Sequence, residues 1–91
     1  RDMEELLNYL KTNFDEQRVA KMLDEEIVNW VDDDWEEDYE SEHDWYVDHN
    51  NNEAEDEIVN QIIKEAKNAL PNLPTEIDVF DVIKELFPIL D

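Results

Sequence analysis

Apolar residues recur at helical spacing along most of the chain, and the first such run begins near residue 1. Asp2 and Glu5 have the spacing of a capping box, in which two side chains bond the free backbone N–H groups at the start of a helix. The apolar positions that follow lie three or four residues apart, as on one helix face: Met3, Leu6, Leu7, Leu10 and Phe14. The pattern predicts a first amphipathic helix.

A second helix is predicted over residues 16–31, with Asp15 as its N-cap. Its end is ambiguous, because Val31, Trp35 and Tyr39 continue the helical spacing into a run of acids. Residues 32–48 are therefore either an acidic continuation of this helix or an irregular loop. As a helix they would contain seven like-charge pairs four residues apart, a repulsion of roughly 1.5–3.5 kcal/mol. The aromatic residues available to hold the segment against a core are Trp30, Trp35, Tyr39, Trp45 and Tyr46.

Two more helices follow a polar break at residues 49–52. Asn52 and Glu55 are expected to open the third helix, and residues 58–70 carry its aliphatic face. After a proline-bounded linker, Thr75 and Asp78 are expected to cap a last helix that ends at Pro88. The whole pattern predicts an all-α fold in a single domain spanning residues 1–91. We expect a small bundle of about four helices, with a long, strongly acidic second helix or helix-loop extension.

Composition narrows the choice of function. The 91 residues include no Gly and no Cys. Without Cys there is no disulfide framework and no thiol nucleophile. Without Gly the loops that cradle phosphates and dinucleotides are excluded, because they need Gly where the backbone approaches the ligand. Apolar runs are too short for a signal peptide or a membrane span, which predicts a cytoplasmic protein with no membrane partner.

Charge is concentrated in one part of the chain. The sequence carries 28 acids against 7 Lys and Arg, for a net charge of −21. Residues 22–63, which we call the acidic window, hold 17 of these acids and no Lys or Arg. Such a stretch repels phosphate, so no direct binding to nucleic acid is expected. It also exceeds what solubility requires, which indicates a surface for a basic protein partner.

The residues offer little for catalysis or metal binding. Ser41 is the one serine and lies inside the acidic run, so we expect no enzyme activity and no cofactor. His43, Asp44, Asp48 and His49 are close in sequence, but a calcium loop requires a central Gly. No specific metal site is expected.

An electrostatic role fits the spacing of the acids better. Carboxylates four residues apart on a helix stand about 6 Å apart, which is similar to successive phosphates on a DNA strand. If residues 16–48 formed one helix, it would span about 50 Å. The side chains predicted to bind the partner are Asp32, Asp33, Asp34, Glu36, Glu37, Asp38, Glu40, Glu42, Asp44, Asp48, Trp35 and Tyr39.

Residues 32–40 and their flanks, about a third of the chain, resemble the small acidic DNA-mimic proteins of phages and mobile elements. The resemblance rests on composition, in the run from Asp32 to Glu40. It implies a DNA-mimic inhibitor that occupies the basic nucleic-acid-binding cleft of a host or defence protein. Members of that class inhibit restriction enzymes, CRISPR effectors, uracil-DNA glycosylase or nucleoid proteins. The partner expected for this chain is accordingly a nucleoid protein, a restriction enzyme, a CRISPR effector or a nuclease. A phage-encoded inhibitor would act in the host cytoplasm.

Three other kinds of acidic protein stay open as alternatives. One is a halophilic housekeeping domain, which would carry its acids throughout the chain. An immunity-type protein that neutralises a basic nuclease toxin is also small and helical, with a more irregular binding surface. An acidic chaperone of a basic protein more often carries its acids in a disordered tail. The oligomeric state is also open, and a homodimer is possible. Two apolar surfaces could either close the monomer core or form a dimer seam: residues 58–70 and the run from Phe87 to Leu90.

Overall fold

The computed structural model describes residues 2–49 and 52–91, and all of their regular structure is helical. The all-α prediction is confirmed, with five α-helices in place of about four. Their bounds are α1 Asp2–Asn13, α2 Glu16–Ile27, α3 Glu42–His49, α4 Glu53–Ala69 and α5 Val79–Leu86. Two short 3-10 turns, Trp35–Glu37 and Pro88–Leu90, complete the described structure. None of these helices is both long and apolar enough to cross a bilayer.

The second helix is shorter than predicted. It ends at Ile27, and the long helix over residues 16–48 is not formed. The chain turns out of α2 through short-range bonds, from the Asn29 N–H to the Glu26 carbonyl and from the Trp30 N–H to the Ile27 carbonyl, both 2.9 Å. Continuing the helix would stack unneutralised carboxylates one turn apart and bring them to its negative end, which costs free energy.

Residues 28–41, which we call the acidic loop, follow α2 and contain the first 3-10 turn. The loop alternative is therefore right for residues 32–41, whereas residues 42–48 belong to a separate helix, α3. Ser41 starts that helix, because its Oγ accepts a 3.0 Å hydrogen bond from the Asp44 N–H. Ser41 as N-cap and Glu42 in the first turn form a helix-start signal, which was not recognised from the sequence.

The caps of the other helices agree only in part with the sequence. Asp15 caps α2 as predicted, accepting a 2.7 Å bond from the Arg18 N–H. At α5 the cap is Asp78, which accepts from the Asp81 N–H at 3.2 Å, so the helix begins at Val79 and not after Thr75. Residues 75–76 instead belong to the turn that follows the proline linker.

The start of α4 is capped from another helix. Asn52 was the predicted N-cap, but its side chain makes no capping bond. The hydroxyl of Tyr46, on α3, accepts the Ala54 N–H at 2.9 Å and donates to Glu55 Oε1 at 2.6 Å. Glu55 thus holds Tyr46 and does not pair with Asn52. The other part of the predicted break, residues 50–51, lies outside the described residues.

Helix α4 is the centre of the bundle, and α2, α5 and the C-terminal turn pack on it. The buried face of α4 packs with the buried side chains of the other elements in one core. Its largest fully buried side chains are Leu6, Leu10, Val19, Ile27, Ile58, Val59, Ile62, Ile83 and Leu90. Both surfaces considered for a dimer seam therefore contribute mainly to the monomer core. Of the C-terminal run, Phe87 and Leu90 are buried, while Ile89 stays 47% exposed.

Candidate protein-binding surface

The acids of the acidic window all lie at the surface. They are exposed except for Glu26, Glu42, Glu55 and Asp56, which are half-buried. No charged side chain of the described residues is buried. The carboxylates therefore meet solvent without the large cost of burying unpaired charge. The fold displays its negative charge on an ordered surface that a partner can reach.

The twelve predicted partner-binding residues divide between two elements. The acidic loop carries Trp35, Tyr39 and seven of the acids, namely Asp32, Asp33, Asp34, Glu36, Glu37, Asp38 and Glu40, while α3 carries Glu42, Asp44 and Asp48. We call the loop and α3 together, residues 28–49, the acidic front. The predicted rows of carboxylates along one helix are not formed in the loop. On α3, Asp44 and Asp48 do keep the one-turn spacing.

Aromatic side chains hold the acidic front to the rest of the molecule. Trp45 and Tyr46 are 8% and 2% exposed and belong to the core, while Trp35 and Tyr39 are half-buried against it. Their role as anchors, expected from the sequence, is confirmed for these four. Trp30, the fifth, is 39% exposed and instead donates from Nε1 to Glu26 Oε2 at 3.0 Å.

A hydrogen bond from a tyrosine to a carboxylate joins the two parts of the acidic front, the loop and α3. The Tyr39 hydroxyl, on the loop, donates to Asp48 Oδ2, on α3. This bond raises the pKa of Tyr39, with smaller contributions from loss of hydration and from the charges of Asp48 and Asp38. Burial, and then the bond to Glu55, likewise raises the pKa of Tyr46. Both phenols stay protonated at neutral pH and act as donors to carboxylates.

The loop and α3 enclose a pocket of about 240 Å³, which we call the front pocket. Three carboxylates of the loop line it, with aromatic rings from both elements. The lining residues are Asp32, Asp34, Trp35, Asp38, Tyr39, Trp45 and His49. Five of these were predicted partner-binding residues, and the fold brings them together around one space.

Sequence reasoning missed Trp45 and His49 as parts of this site. The His49 ring stacks on Trp45, with centroids 3.6 Å apart and planes 13° apart, and its Nδ1 lies 2.8 Å from the Trp45 carbonyl oxygen. It also meets Tyr39 edge-on at 5.9 Å. The spacing of Trp45 and His49, four residues apart on one helix, was the available signal.

A second pocket, of about 410 Å³, lies between the end of α2 and the start of α3. Asp24, Ser41 and His43 line it, and His43 Nδ1 lies 3.7 Å from Asp24 Oδ1. The side chains of His43 and Asp24 are both well exposed, so a charge pair between them would be strongly hydrated. The Ser41 oxygen already accepts the bond that caps α3.

Among the described residues, no three carboxylate or imidazole side chains converge as the ligands of a metal ion do.

Comparisons with known proteins add no relative. No protein-family model matches the chain, and neither a curated protein nor a solved structure is significantly similar to it.

Proposed function

We propose that this protein is a DNA-mimic inhibitor, whose acidic front occupies the basic nucleic-acid-binding cleft of a DNA-binding protein. The observation that carries the proposal is the lack of side-chain bonds at the loop acids in the described part of the chain. Within residues 2–49 and 52–91, no hydrogen bond or ion pair involves the side chain of any of the seven loop acids, Asp32, Asp33, Asp34, Glu36, Glu37, Asp38 and Glu40.

Acids elsewhere in the chain contribute to folding. Glu53, Glu55 and Asp56 lie in the first turn of α4, where the positive end of the helix dipole favours carboxylates. Asp56 also pairs with Lys84 at 3.5 Å, and Asp15 and Asp78 cap helices. Because the loop acids repel one another without such gains, a partner accounts for their concentration better than stability does.

The short second helix changes the kind of mimicry that we propose. A straight rod with rows of carboxylates would copy one DNA strand phosphate by phosphate. A folded loop packed on a helix offers a dense negative field to a cleft that binds phosphate. Such a field steers association, and the affinity falls as salt rises. The partner we propose is a basic restriction enzyme, CRISPR effector, nucleoid protein or nuclease, bound in competition with DNA.

The proposed target also determines where the protein would act. We propose that it binds its DNA-binding partner in the cytoplasm, or in the host cytoplasm if the inhibitor is encoded by a phage. We propose no direct contact with nucleic acid or membrane, no cofactor and no catalytic step. A homodimer would double the charge offered to the cleft, and Pro88 and Ile89 are the exposed residues of the C-terminal run that could contribute to it.

One observation favours the immunity-type alternative. The front pocket makes the acidic front irregular, with a depression between carboxylates and rings, as expected of a surface fitted to one toxin. In that case a basic nuclease would still be bound, but DNA would not displace the protein when the two sites are separate. The acidic chaperone gains less support, because the loop is held by aromatic contacts and is not a free tail.

The test is binding to a panel of purified basic DNA-binding proteins, with and without duplex DNA. We expect binding that DNA displaces and that weakens with salt. The triple variant Asp32→Asn, Asp33→Asn, Asp34→Asn should lose most of this affinity. A matched control removes three acids outside the acidic window: Glu16→Gln, Glu65→Gln, Glu85→Gln. Binding that DNA does not displace would contradict mimicry and favour the immunity-type alternative, and equal losses in both variants would contradict a role for the acidic front.

A further inference from the structure

The turn that follows α2 exposes apolar surface where the acidic front begins. Val28 is 51% exposed, and Trp30, two residues further on, is 39% exposed. The other large apolar side chains exposed among the described residues are Met3, Val47 and Ile89. Single exposed side chains of this kind are normal on a protein surface. Val28 and Trp30 differ because they share one turn and because Val28 also lines a pocket.

The pocket of about 410 Å³ between α2 and α3 extends this surface. Val28 and the core residue Ile27 line it, and apolar atoms make up most of its exposed wall. Asp24 and Glu42 line it as well. We call Val28, Trp30 and this pocket the apolar patch. The patch offers a depression for one apolar side chain, with an aromatic ring in the same turn.

Trp30 is held in a fixed position although it is exposed. Its backbone N–H donates to the Ile27 carbonyl at 2.9 Å, and its indole Nε1 donates to Glu26 Oε2 at 3.0 Å. A ring that is already ordered loses little conformational freedom on binding. The polar edge of the indole is paired with Glu26, so the exposed remainder of the ring is apolar. Tryptophan is among the most frequent hot-spot residues of protein interfaces.

The charge around the apolar patch determines what kind of partner it fits. Asp24 and Glu42 line the pocket, Asp32 and Asp33 follow Trp30 closely in the chain, and the acidic window contains no Lys or Arg. An apolar segment with acidic neighbours is repelled here, and so is a second copy of this chain, with its charge of −21. A segment whose apolar side chain lies between basic residues is attracted. Charge complementarity therefore selects a basic occupant.

We propose that the apolar patch binds an apolar side chain of the basic partner, carried between arginine or lysine residues. This role of the patch rests on the proposed function for the identity of the partner. DNA in a protein cleft is held mainly through its phosphates and sugars. The patch therefore adds a contact that DNA does not make, and salt does not screen this contact as it screens those of the carboxylates.

The direct test compares the binding of two synthetic peptides to the unmodified full chain. Both peptides have the same length and the same number of arginines, which alternate with leucines in one peptide and with serines in the other. We expect the leucine peptide to bind about tenfold more tightly, and this ratio to persist as sodium chloride weakens both. Its largest NMR shifts should occur at Val28 and at the Trp30 indole. Equal affinities, or shifts centred on Met3 or Ile89, would overturn the proposal.

Matched variants locate the contact. Val28→Ala shortens an exposed valine of the patch, and Val47→Ala shortens one of similar exposure on α3 that does not line the pocket. We expect the first to weaken the leucine peptide by about threefold and the second to leave its affinity unchanged. Trp30→Ala should weaken it by about tenfold, whereas Ile89→Ala, outside the acidic front, should not. Equal effects within either pair would mean that the patch is not the binding site.

Folding of the variants is checked separately by circular dichroism. All four substituted side chains are exposed, so the helical content should not change. If Trp30→Ala lowers the helical content, the comparison of Val28→Ala with Val47→Ala decides alone.

The two proposals fail in different ways. If the leucine peptide binds the patch as expected but no DNA-binding protein is bound in competition with DNA, the patch stands and the proposed function is lost. If a DNA-binding protein is bound in that way and the two peptides bind alike, mimicry by charge stands and the patch is lost.

Discussion

The acidic front and the rest of the bundle are ordered by different forces. The bundle of α1, α2, α4 and α5 is held by aliphatic side chains that are fully buried, among them Leu6, Ile62 and Ile83. The acidic front buries Trp45 and Tyr46 and is otherwise held by half-buried rings and by hydrogen bonds from tyrosine to carboxylate. The difference shows how a small protein keeps a repulsive surface in order. A few large aromatic anchors replace a continuous apolar face.

The largest effect should come from the bundle itself. Ile62 is fully buried on α4, so Ile62→Ala leaves a cavity and should cost about 2–5 kcal/mol of unfolding free energy. Val47, on α3 of the acidic front, is 59% exposed, and Val47→Ala is the matched control that should change stability by less than about 0.5 kcal/mol. Urea unfolding followed by circular dichroism measures both. Similar costs for the two variants would mean that the bundle and the front do not differ as described.

The junction between the two regions comes next. Tyr46→Phe keeps the buried ring but removes the hydroxyl that caps α4 and holds Glu55, so we expect a loss of about 1–3 kcal/mol. Amide hydrogen exchange should speed up at Ala54. The control is Tyr9→Phe, since Tyr9 contacts the core through its ring against Phe14. If Tyr46→Phe costs no more than Tyr9→Phe, the cap from α3 does not stabilise α4.

Salt should stabilise the protein through the acidic front. Added salt screens exposed like charges, so the unfolding free energy should rise on the order of 1 kcal/mol between low and high salt. The variant Asp32→Asn, Asp33→Asn, Asp34→Asn should start more stable at low salt and gain less from added salt. Melting temperatures at several sodium chloride concentrations give the comparison. A melting temperature that does not change with salt would show that repulsion in the front is negligible.

The smallest effect concerns the bond that closes the front. The pKa of Tyr39 is raised above its ordinary value of 10.0 by the bond to Asp48. A raised pKa means that the folded state holds the proton more tightly than the unfolded state. This stabilisation is therefore complete below the unfolded pKa and is lost as pH rises through the folded one.

Carbon NMR of the ring Cζ atoms follows the ionisation of each tyrosine. We expect Tyr39 to titrate above its ordinary pKa, and the substitution Asp48→Asn to lower its pKa towards that value. Asp44→Asn, one turn away on α3, is the control and should leave Tyr39 unchanged. A Tyr39 that ionises at its ordinary pKa in the unmodified chain would mean that the bond to Asp48 does not form in solution.

Local patterns predicted the aliphatic helices well. The stripe that includes Leu6 and Leu10 and the aliphatic face of residues 58–70 are buried as expected. The cap of α2 by Asp15 was predictable, because an N-cap bond joins residues three positions apart and both can be read from the sequence. The same locality explains why the acids and aromatics of residues 32–40 were recognised as surface and anchors.

The sequence could not show where a cap or a packing contact is supplied by a residue far away in the chain and not by a neighbouring one. The helical spacing of Val31, Trp35 and Tyr39 predicted a long helix as readily as a loop, because both place the same rings near a core. The structure ends α2 at Ile27 and uses those rings from a loop. Asn52 had the right chemistry for a cap, yet the hydroxyl of Tyr46 takes that role from α3.

The sequence by itself therefore determined the helical class, the buried stripes and the concentration of charge, since periodicity and composition are properties of neighbouring residues. The tertiary structure decided the length of α2, the caps that cross between helices and the front pocket. Those features depend on which aromatic rings pack against the core. That choice limits repulsion and buries apolar area for the whole chain at once, and no short stretch of sequence contains it.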